Sequence, residues 1–415
     1  MKKQNMAAVS FIVVLTLFLL TSCETFDNFK AAFFGDEEDQ GSTIRIGVFE
    51  PLSGKYQEYG ELEKIGIELA HEYYPRALGE KVDLVYADNK SDIYIAESAI
   101  QSLISKNPAI VLGSYGGVYS LIGAQYLEEA KIPAIAITNT NWLVTRNNPY
   151  YFRVCFVYAY EGVAAAKYSV EEMCVTSAAI LKPVNDDSAA AVSQAFWDKM
   201  VQLANDESAI VSSQDFDPDD SDFTEQLNKI KRSGTKVVFM PSSVDDAARI
   251  LKQANEMGID AVFLGTNNWE TVELIEKAGV EAAEGIAFST IFDPETGITE
   301  MTPVFLQQYK KKYGEDAVPS SAVALGFDAY MLAIDAINRA GTWQDGEKVA
   351  KALASTKKFP GASGSITFDN KGDPIKSVVI KTVHDGEIVP RYTVEPNWVA
   401  IESDEEPVEE QTDVE

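Results

Sequence analysis

The sequence predicts an α/β protein with two Rossmann-like lobes, whose parallel central sheets are joined by hinge strands. Three observations lead to this class. Short apolar runs rich in Ile and Val alternate with stretches of helical spacing from residue 43 onwards. Polar or glycine-containing turns follow several of these runs. The alternation forms two successive series, which indicates two sheets with helices on both faces.

The first series contains the expected elements of the first lobe. Strands are predicted at Ile44–Phe49, Val82–Tyr86, Ala109–Leu112, Ile132–Ile137 and Tyr151–Phe156. Helices are predicted at Glu61–Tyr74, Asp92–Ser105 and Ser120–Ala130. Because parallel strands end at one edge of a sheet, the turns Gly113–Gly117 and Thr138–Asn141 are expected at the ligand-binding edge. The first turn also begins a helix, whose free N–H groups attract anions.

The second series contains the expected elements of the second lobe. Helices are predicted at Glu161–Met173, Ala189–Ala204, Asp222–Arg232, Asp245–Met257 and Val272–Ala278. Strands are predicted at Ala178–Leu181, Ala209–Ser212, Val237–Met240, Ala261–Leu264, Ser365–Phe368, Ser377–Thr382 and Glu387–Val394. Gly234 and Gly258 follow two of these helices, as glycine commonly does at a helix end.

Both ends of the chain differ from the lobes. Lys2 and Lys3 precede the apolar run Met6–Leu20, which is typical of an export signal and short for a membrane span. Residues 1–22 are therefore predicted to be a signal peptide. Residues 23–42 are predicted to be a tether, and the acidic residues 402–415 a disordered tail.

Composition narrows the classes of function. The chain has 64 acidic and 35 basic residues, with a formal net charge of −29. A nucleic-acid partner is not expected, because phosphate binding requires a basic face. The two histidines, His71 and His384, lie away from the predicted edge, so a Ser–His catalytic site lacks a base and an enzyme is not expected. No Cys/His cluster predicts a metal site, and no cofactor is expected.

Three segments together resemble a known family. The segments KIPAIAITNTNWLVTRNNPYYFRVCF, IRIGVFEPLSGKYQEYG and FLGTNNW are similar to parts of type I periplasmic solute-binding proteins of the leucine/isoleucine/valine-binding kind. These proteins are the extracytoplasmic receptors of ABC importers. The run Leu20-Thr21-Ser22-Cys23 likewise resembles the processing site of bacterial lipoproteins, which implies cleavage before Cys23 and a lipid anchor on it.

The resemblance implies how the chain is divided. Residues 43–156 would form the first lobe, to which residues 289–354 return. Residues 157–288 would form the second lobe, which residues 355–401 complete. The three crossings are expected near Phe156–Tyr158, Ala287–Ile291 and Ser355–Ala362. The helices Pro303–Lys312 and Ala322–Arg339 would belong to the first lobe.

The resemblance also implies which first-lobe residues contact a ligand. The loop Gly113–Tyr119 and the turn Thr138–Thr140 match the carboxylate-binding positions, and Tyr59 matches an aromatic position. The predicted contacts are Tyr59, Ser114, Tyr115, Gly116, Thr138, Asn139 and Thr140. For Ser114 and Thr140, capping of the turns that follow them is the structural alternative.

The second lobe departs from the family pattern. Where the family places an acidic partner for the ligand ammonium, this chain has Asn267. Asp187 and Ser243 fall at two further ligand positions whose residue types also differ. An ammonium buried without a carboxylate would cost several kcal/mol. Asp187 or Asp245 would have to supply that charge, or the ligand is not a simple aliphatic amino acid.

The resulting hypothesis is a monomeric, lipid-anchored solute-binding protein. It would capture an amino acid or related small carboxylate between its lobes and deliver it to an ABC permease. The alternative is the same fold used as a regulatory lipoprotein for a cell-envelope partner, for example an activator of a peptidoglycan synthase. Cys155 and Cys174 could form a disulfide, although two separately buried thiols are favoured.

Overall fold

Short, mostly buried strands form the framework of both lobes. The computed structural model describes residues 43–218, 220–296 and 299–394. The strands are β1 Ile44–Glu50, β2 Arg76–Ala77, β3 Glu80–Asp88, β4 Ile110–Gly113, β5 Ala134–Ala136, β6 Tyr151–Arg153, β7 Ala178–Pro183, β8 Ile210–Phe216, β9 Val237–Phe239, β10 Val262–Gly265, β11 Ala287–Thr290, β12 Phe359–Gly361, β13 Gly364–Phe368, β14 Pro374–Ile375, β15 Val378–His384 and β16 Glu387–Val394.

Helices connect these strands and cover both faces of the sheets. They are α1 Gln57–Tyr73, α2 Ile93–Ile104, α3 Gly117–Glu129, α4 Ala159–Lys167, α5 Asp187–Ala204, α6 Thr224–Ser233, α7 Val244–Glu256, α8 Val272–Ala278, α9 Val280–Ala283, α10 Met301–Tyr313, α11 Ser321–Ala340 and α12 Gly346–Ala354. Short 3₁₀ turns lie at Trp142–Val144 and Asn267–Trp269, and a π-helical turn, Tyr168–Glu172, follows α4. No helix in the described ranges is both long enough and apolar enough to cross a membrane.

The two large sheets confirm the predicted fold class. The first-lobe sheet has the order β2-β3-β1-β4-β5-β6, and the second-lobe sheet has the order β16-β15-β11-β10-β9-β7-β8. Neighbours from β3 to β6 and from β8 to β11 pair in parallel. The hairpin β15–β16 adds antiparallel strands at one edge. Its turn residues Asp385 and Gly386 both have positive φ, as a tight hairpin turn requires.

Local sequence explains where several helices begin and end. Asp92 caps α2 by accepting bonds from the N–H groups of Tyr94 and Ile95, and Asp186 caps α5 in the same manner. The helix α6 ends at Gly234, which has the left-handed conformation that glycine adopts without strain.

Glycines let two helix pairs pack at backbone distance. A Cβ atom on Gly66 of α1 would lie 2.0 Å from the Val323 carbonyl oxygen of α11, and one on Gly326 would lie 2.2 Å from the Glu63 carbonyl oxygen. In the second lobe, a Cβ atom on Gly162 of α4 would lie 2.2 Å from the Val192 carbonyl oxygen of α5. These contacts fix the positions of α1 and α4, which carry residues of the site described below.

A third, small sheet lies where the sequence predicted part of the second lobe. The strand β13 covers the predicted strand Ser365–Phe368, but it pairs with β12 and β14 in a separate three-stranded sheet. This sheet packs on the first lobe, because Asp328 of α11 accepts the N–H groups of Ala362 and Ser363, and Asp373 pairs with Arg153 of β6. These contacts favour a third crossing between β14 and β15, after the predicted Ser355–Ala362. The lobe boundaries stay a prediction.

The two described cysteines are free. Cys155 is buried, as expected, but Cys174 is exposed, so the prediction that both thiols are buried is wrong for Cys174. Cys174 has a φ of 57° directly after the π-helical turn, at the end of that helix. The predicted signal peptide 1–22, the lipid attachment at Cys23, the tether 23–42 and the tail 402–415 lie outside the described residues.

Candidate functional site

The carboxyl ends of β1, β4 and β5 bring together the first-lobe residues of the candidate site. We call this surface the first edge (Glu50, Ser114–Gly116 and Thr138–Thr140). It lies at the point where the strand order reverses, between β1 and β4, which is where open α/β sheets bind ligands. The turns after β4 and β5 were predicted to lie together at one edge of the sheet, and they do, because their positions depend only on where each strand ends.

Ser114 is fully buried and already bonded within the first edge. Its hydroxyl accepts a bond from Asn89 Nδ2 at 2.8 Å and donates to the Tyr115 carbonyl oxygen at 3.0 Å. Its N–H donates to Ser120 Oγ at 3.3 Å. The side chain of Ser114 therefore bonds to Asn89 and within its own loop, and its contact with a ligand stays a prediction.

Two aromatic residues predicted to contact a ligand lie side by side. The rings of Tyr59 and Tyr115 stack with centroids 4.6 Å apart and planes 6° apart. Tyr56 packs against Tyr115 at 5.8 Å. Tyr59 is 48% exposed, whereas burial raises the pKa of the Tyr115 phenol. The pair offers a flat apolar surface beside the first edge.

Two buried carboxyl groups that the sequence analysis missed lie under this edge. Glu50 Oε2 accepts the N–H of Tyr115 at 2.7 Å, and Glu63 Oε1 accepts the hydroxyl of Thr138. Glu50 and Glu63 are fully buried beside each other, and Glu50 Oε1 and Glu63 Oε2 receive no bond from a donor among the described residues. Burial raises the pKa of Glu63 to about 7, and burial and the neighbouring Glu63 carboxyl raise the pKa of Glu50 well above its ordinary value. The pair therefore shares a proton near neutral pH.

The remaining first-edge residues keep open donors. Gly116 precedes α3 without a side-chain cap, so the first N–H groups of that helix have no capping side chain. Asn139 is buried, and its Nδ2 has no acceptor among the described residues. Thr140 is half-buried and carries a hydroxyl that can donate, while its carbonyl oxygen accepts the N–H of Tyr158 at 3.1 Å. These donors suit an anionic group.

The corresponding surface of the second lobe contains a single buried carboxyl group. We call it the second edge (Glu161, Thr266, Asn267 and Ser289). Glu161, in the first turn of α4, accepts the N–H of Asn267 at 2.6 Å and the hydroxyl of Ser289, both at Oε2. Its Oε1 is buried and receives no bond from any described residue. Burial raises the pKa of Glu161 to about 7.

The other two predicted second-lobe contacts are helix-start residues. Ser243 caps α7, where its hydroxyl donates to Asp246 Oδ2 at 2.6 Å and accepts the Asp246 N–H. Asp187 is the exposed first residue of α5. Asp245, the other proposed substitute for the acidic partner, is exposed and pairs with Lys277 at 2.5 Å.

The buried carboxyl groups of the two edges differ from the other buried acids of the described residues in their ion pairing. Elsewhere in the described part of the chain, buried carboxylates pair with cations: Asp373 with Arg153 at 2.6 Å, Asp293 with Lys381 at 3.4 Å, Asp328 with Lys376 at 4.0 Å and Asp246 with Arg249 at 2.5 Å. Glu50, Glu63 and Glu161 have no such cation within those residues. Burial disfavours the ionised form of a carboxyl group that has no cation beside it. Such a group stays protonated unless a cation binds next to it.

A cluster of two acidic residues and a histidine, away from both edges, has the spacing of metal ligands. Glu284, His384 and Asp385 bring their ligand atoms within 4.8 Å of one another at the β15–β16 turn. All three are exposed, and His384 Nδ1 lies 3.0 Å from Glu284 Oε1. This geometry is that of a surface ion pair, which also raises the pKa of His384.

Comparisons with known proteins agree with this architecture. A family model for periplasmic binding proteins matches residues 43–387. The Leu/Ile/Val-binding protein homolog 2 of Brucella abortus strain 2308 is 26% identical over 338 residues, covering 80% of this chain and 87% of that protein.

Solved structures give the same result. A leucine-binding protein from Thermotoga maritima is 32% identical, with a TM-score of 0.72, over 85% of this chain and 99% of that one. The branched-chain amino acid binding protein LivJ of Streptococcus pneumoniae, in complex with isoleucine, is 25% identical, with a TM-score of 0.71, over 86% of this chain and 100% of that one. The chain therefore belongs to the type I periplasmic binding proteins, in the leucine/isoleucine/valine-binding family.

Proposed function

We propose that this protein captures an amino acid or a related small carboxylate in the cleft between its lobes and delivers it to an ABC importer. The observation that carries the proposal is that hydrogen bonds beside each polar edge reach residues of the other lobe. Thr140 of the first edge accepts the N–H of Tyr158, which lies at the start of the second lobe. Ser321 of α11 donates to Glu270 Oε2 at 3.1 Å, beside the second edge.

The ligand carboxylate would bind the open donors of the first edge. The uncapped start of α3 at Gly116 and the Thr140 hydroxyl are suited to an anion. The stacked rings of Tyr59 and Tyr115 would cover the apolar part of the ligand. From the second lobe, Asn267 remains a predicted contact, as do Asp187 and Ser243.

Binding would shift the protein from an open to a closed arrangement of the lobes, without chemistry on the ligand. The transported ligand would reach the permease from the extracytoplasmic side. A lipid on Cys23 and the tether 23–42 would hold the monomer at the membrane surface.

One observation favours the alternative, a regulatory lipoprotein for a cell-envelope partner. The Tyr115 N–H and the Thr138 hydroxyl, which were predicted to bind a ligand carboxylate, are occupied by Glu50 and Glu63. A first edge satisfied from within has fewer donors left for a ligand.

A thermal-unfolding screen of the purified full-length protein in detergent tests the proposal. The probes are the common L-amino acids and small carboxylic acids. A ligand at 100 times its Kd stabilises the fold by about 2.7 kcal/mol. We expect at least one of these acids to raise the Tm. Thr140→Ala should abolish that shift, whereas Thr176→Ala, which changes an exposed threonine just before the amino end of β7, should preserve it.

Failure of every acid to raise the Tm of folded, ligand-free protein would contradict the transport proposal. A protein partner from the cell envelope would then become the better candidate.

A further inference from the structure

The second edge holds a buried acid whose bonding is incomplete. Glu161 is fully buried, and its Oε2 has two donors, the Asn267 N–H and the Ser289 hydroxyl. Oε1 has no donor among the described residues. Buried polar atoms without a partner are rare in folded proteins, and each needs an explanation.

The position of Glu161 is fixed by the backbone around it. Gly162 allows α4 to pack against the α5 backbone, where a Cβ atom would lie 2.2 Å from the Val192 carbonyl oxygen. The two bonds to Oε2 orient the carboxyl group from the turn after β10 and from β11, so the free oxygen cannot turn away without breaking them. A fixed acceptor of this kind is preorganised for a donor that the chain itself does not supply.

The charged groups around Glu161 are engaged elsewhere, so its free oxygen Oε1 can accept a cation from outside the protein. From the elements packed against α4, Lys381 of β15 is held by Glu270 at 2.8 Å, and Lys199 of α5 is bonded to Gln202 at 2.7 Å. Asp186 caps α5, and Tyr158 is buried beside Glu161. None of these groups offers Glu161 a positive charge.

We propose that Glu161 is the specificity-determining residue of the second edge and accepts an ammonium group of the ligand. This inference rests on the proposed function, because it requires a ligand in the interlobe cleft. An ammonium is a compact cation with three donors, which suits one fixed oxygen. A divalent metal would need several oxygen ligands, and Glu161 has only one oxygen free. Position 267 carries an asparagine where the family has an acid. Glu161 of α4 would supply the missing carboxylate, and it already accepts the backbone N–H of Asn267.

Paired probes test the inference by isothermal titration of the full-length protein. Each pair consists of an amino acid and the same acid without its ammonium: L-leucine with 4-methylpentanoate, L-phenylalanine with 3-phenylpropanoate, and L-alanine with propanoate. We expect the wild-type protein to prefer the amino acid of a binding pair. Glu161→Gln keeps the size of the side chain and should weaken amino acid binding by about 100-fold, because the ammonium loses its charge partner. Binding of the ammonium-free acid should change by less than about threefold, since the variant leaves the first edge intact.

Glu284→Gln is the matched control, because it removes an exposed carboxylate of the same lobe and should leave all affinities unchanged. Thermal unfolding establishes that each variant is folded. Equal wild-type affinity for both members of a pair, or unchanged amino acid binding by Glu161→Gln, would overturn the inference and leave the transport proposal standing. Binding of no member of any pair by the folded wild-type protein, together with no stabilising acid in the thermal screen, would overturn both.

Discussion

The two edges accommodate buried carboxyl groups in different ways. On the first edge, Glu50 and Glu63 each accept one donor, from Tyr115 and Thr138, and their buried carboxyl groups lie beside each other, where a shared proton can bond their other oxygens. On the second edge, Glu161 has donors on one oxygen only and no second acid beside it. The first arrangement is closed, whereas the second is complete only with an added donor.

This difference indicates that chemically identical side chains have different roles: Glu50 and Glu63 a structural one, and Glu161 one in ligand binding. A carboxyl pair that shares a proton can stay buried without a cation, because one of its members is neutral. A single carboxylate cannot, so its burial is costly until a cation arrives. We therefore expect changes at Glu161 to affect the ligand, and changes at Glu50 or Glu63 to affect loop order.

The largest expected effect compares the glycines that position the two acids. Gly66→Ala and Gly162→Ala would each place a Cβ atom within 2.2 Å of a carbonyl oxygen on the neighbouring helix. Each should lower the free energy of unfolding by about 3 kcal/mol, because backbone must move to relieve the overlap. Urea unfolding measures the change. Gly258→Ala, where a Cβ would meet no atom within 4 Å, is the control and should cost about 1 kcal/mol for its positive φ. Equal losses at all three positions would contradict the packing argument.

A comparably large effect concerns the pH dependence of the ligand-free protein. Because the pKa of Glu161 is raised to about 7 in the folded protein, the folded state keeps a proton that the unfolded state releases near its ordinary pKa. The Glu161 contribution to stability therefore falls as the pH rises from about 4.5 to about 7 and is constant above that. Glu161→Gln should raise the free energy of unfolding by about 3 kcal/mol at pH 8 and leave it nearly unchanged at pH 4. Chemical unfolding at both pH values measures this, and a variant that is less stable than wild type at pH 8 would refute it.

A smaller effect tests whether the two edges are separate. Glu50→Gln and Glu63→Gln should show a coupling energy of about 1–3 kcal/mol in a double-mutant cycle, since the two buried carboxyl groups lie beside each other. The cycle between Glu63→Gln and Glu161→Gln should give a coupling near zero, because these residues share no hydrogen-bond partner among the described residues. A strong coupling between Glu63 and Glu161 would show that the edges act as one network.

The smallest expected effect concerns the aromatic pair. Tyr59 is 48% exposed, so Tyr59→Ala should cost about 1 kcal/mol or less of stability through the lost stack on Tyr115. Its effect on ligand affinity should exceed its effect on stability, because the stacked surface covers the proposed ligand. Urea unfolding and titration with the best-binding acid measure the two quantities. An unchanged affinity would remove Tyr59 from the site.

Much of the fold follows from local patterns in the sequence. Apolar runs such as Ile44–Phe49 and Val237–Met240 contain strands of the two large sheets, and turn residues mark their ends. The three-stranded sheet β12–β14 was not predictable in this way, because its short strands are held by distant partners such as Asp328 and Arg153. The third crossing, predicted near Ser355–Ala362, stays a prediction, although the contacts of this sheet favour a later position.

The candidate site was predictable only in its loops. The positions of Tyr59, Tyr115 and Thr140 follow from strand ends and from the family resemblance. Glu50 and Glu161 were missed because the burial of a carboxyl group depends on tertiary contacts. A faint signal exists, since Glu50 directly continues an apolar strand and Glu161 precedes the glycine at a helix contact.

Proton release on ligand binding tests the central claim, the role of Glu161, most directly. Because burial raises its pKa to about 7, Glu161 in the free protein is mostly protonated at pH 6, and an ammonium would displace that proton. Titration at pH 6 with the amino acid that binds most tightly among the paired probes, in two buffers that differ in ionisation enthalpy, counts the protons released. The account predicts that the wild-type protein releases more protons than Glu161→Gln, by up to one proton per ligand bound. Equal proton release by the two proteins would contradict it.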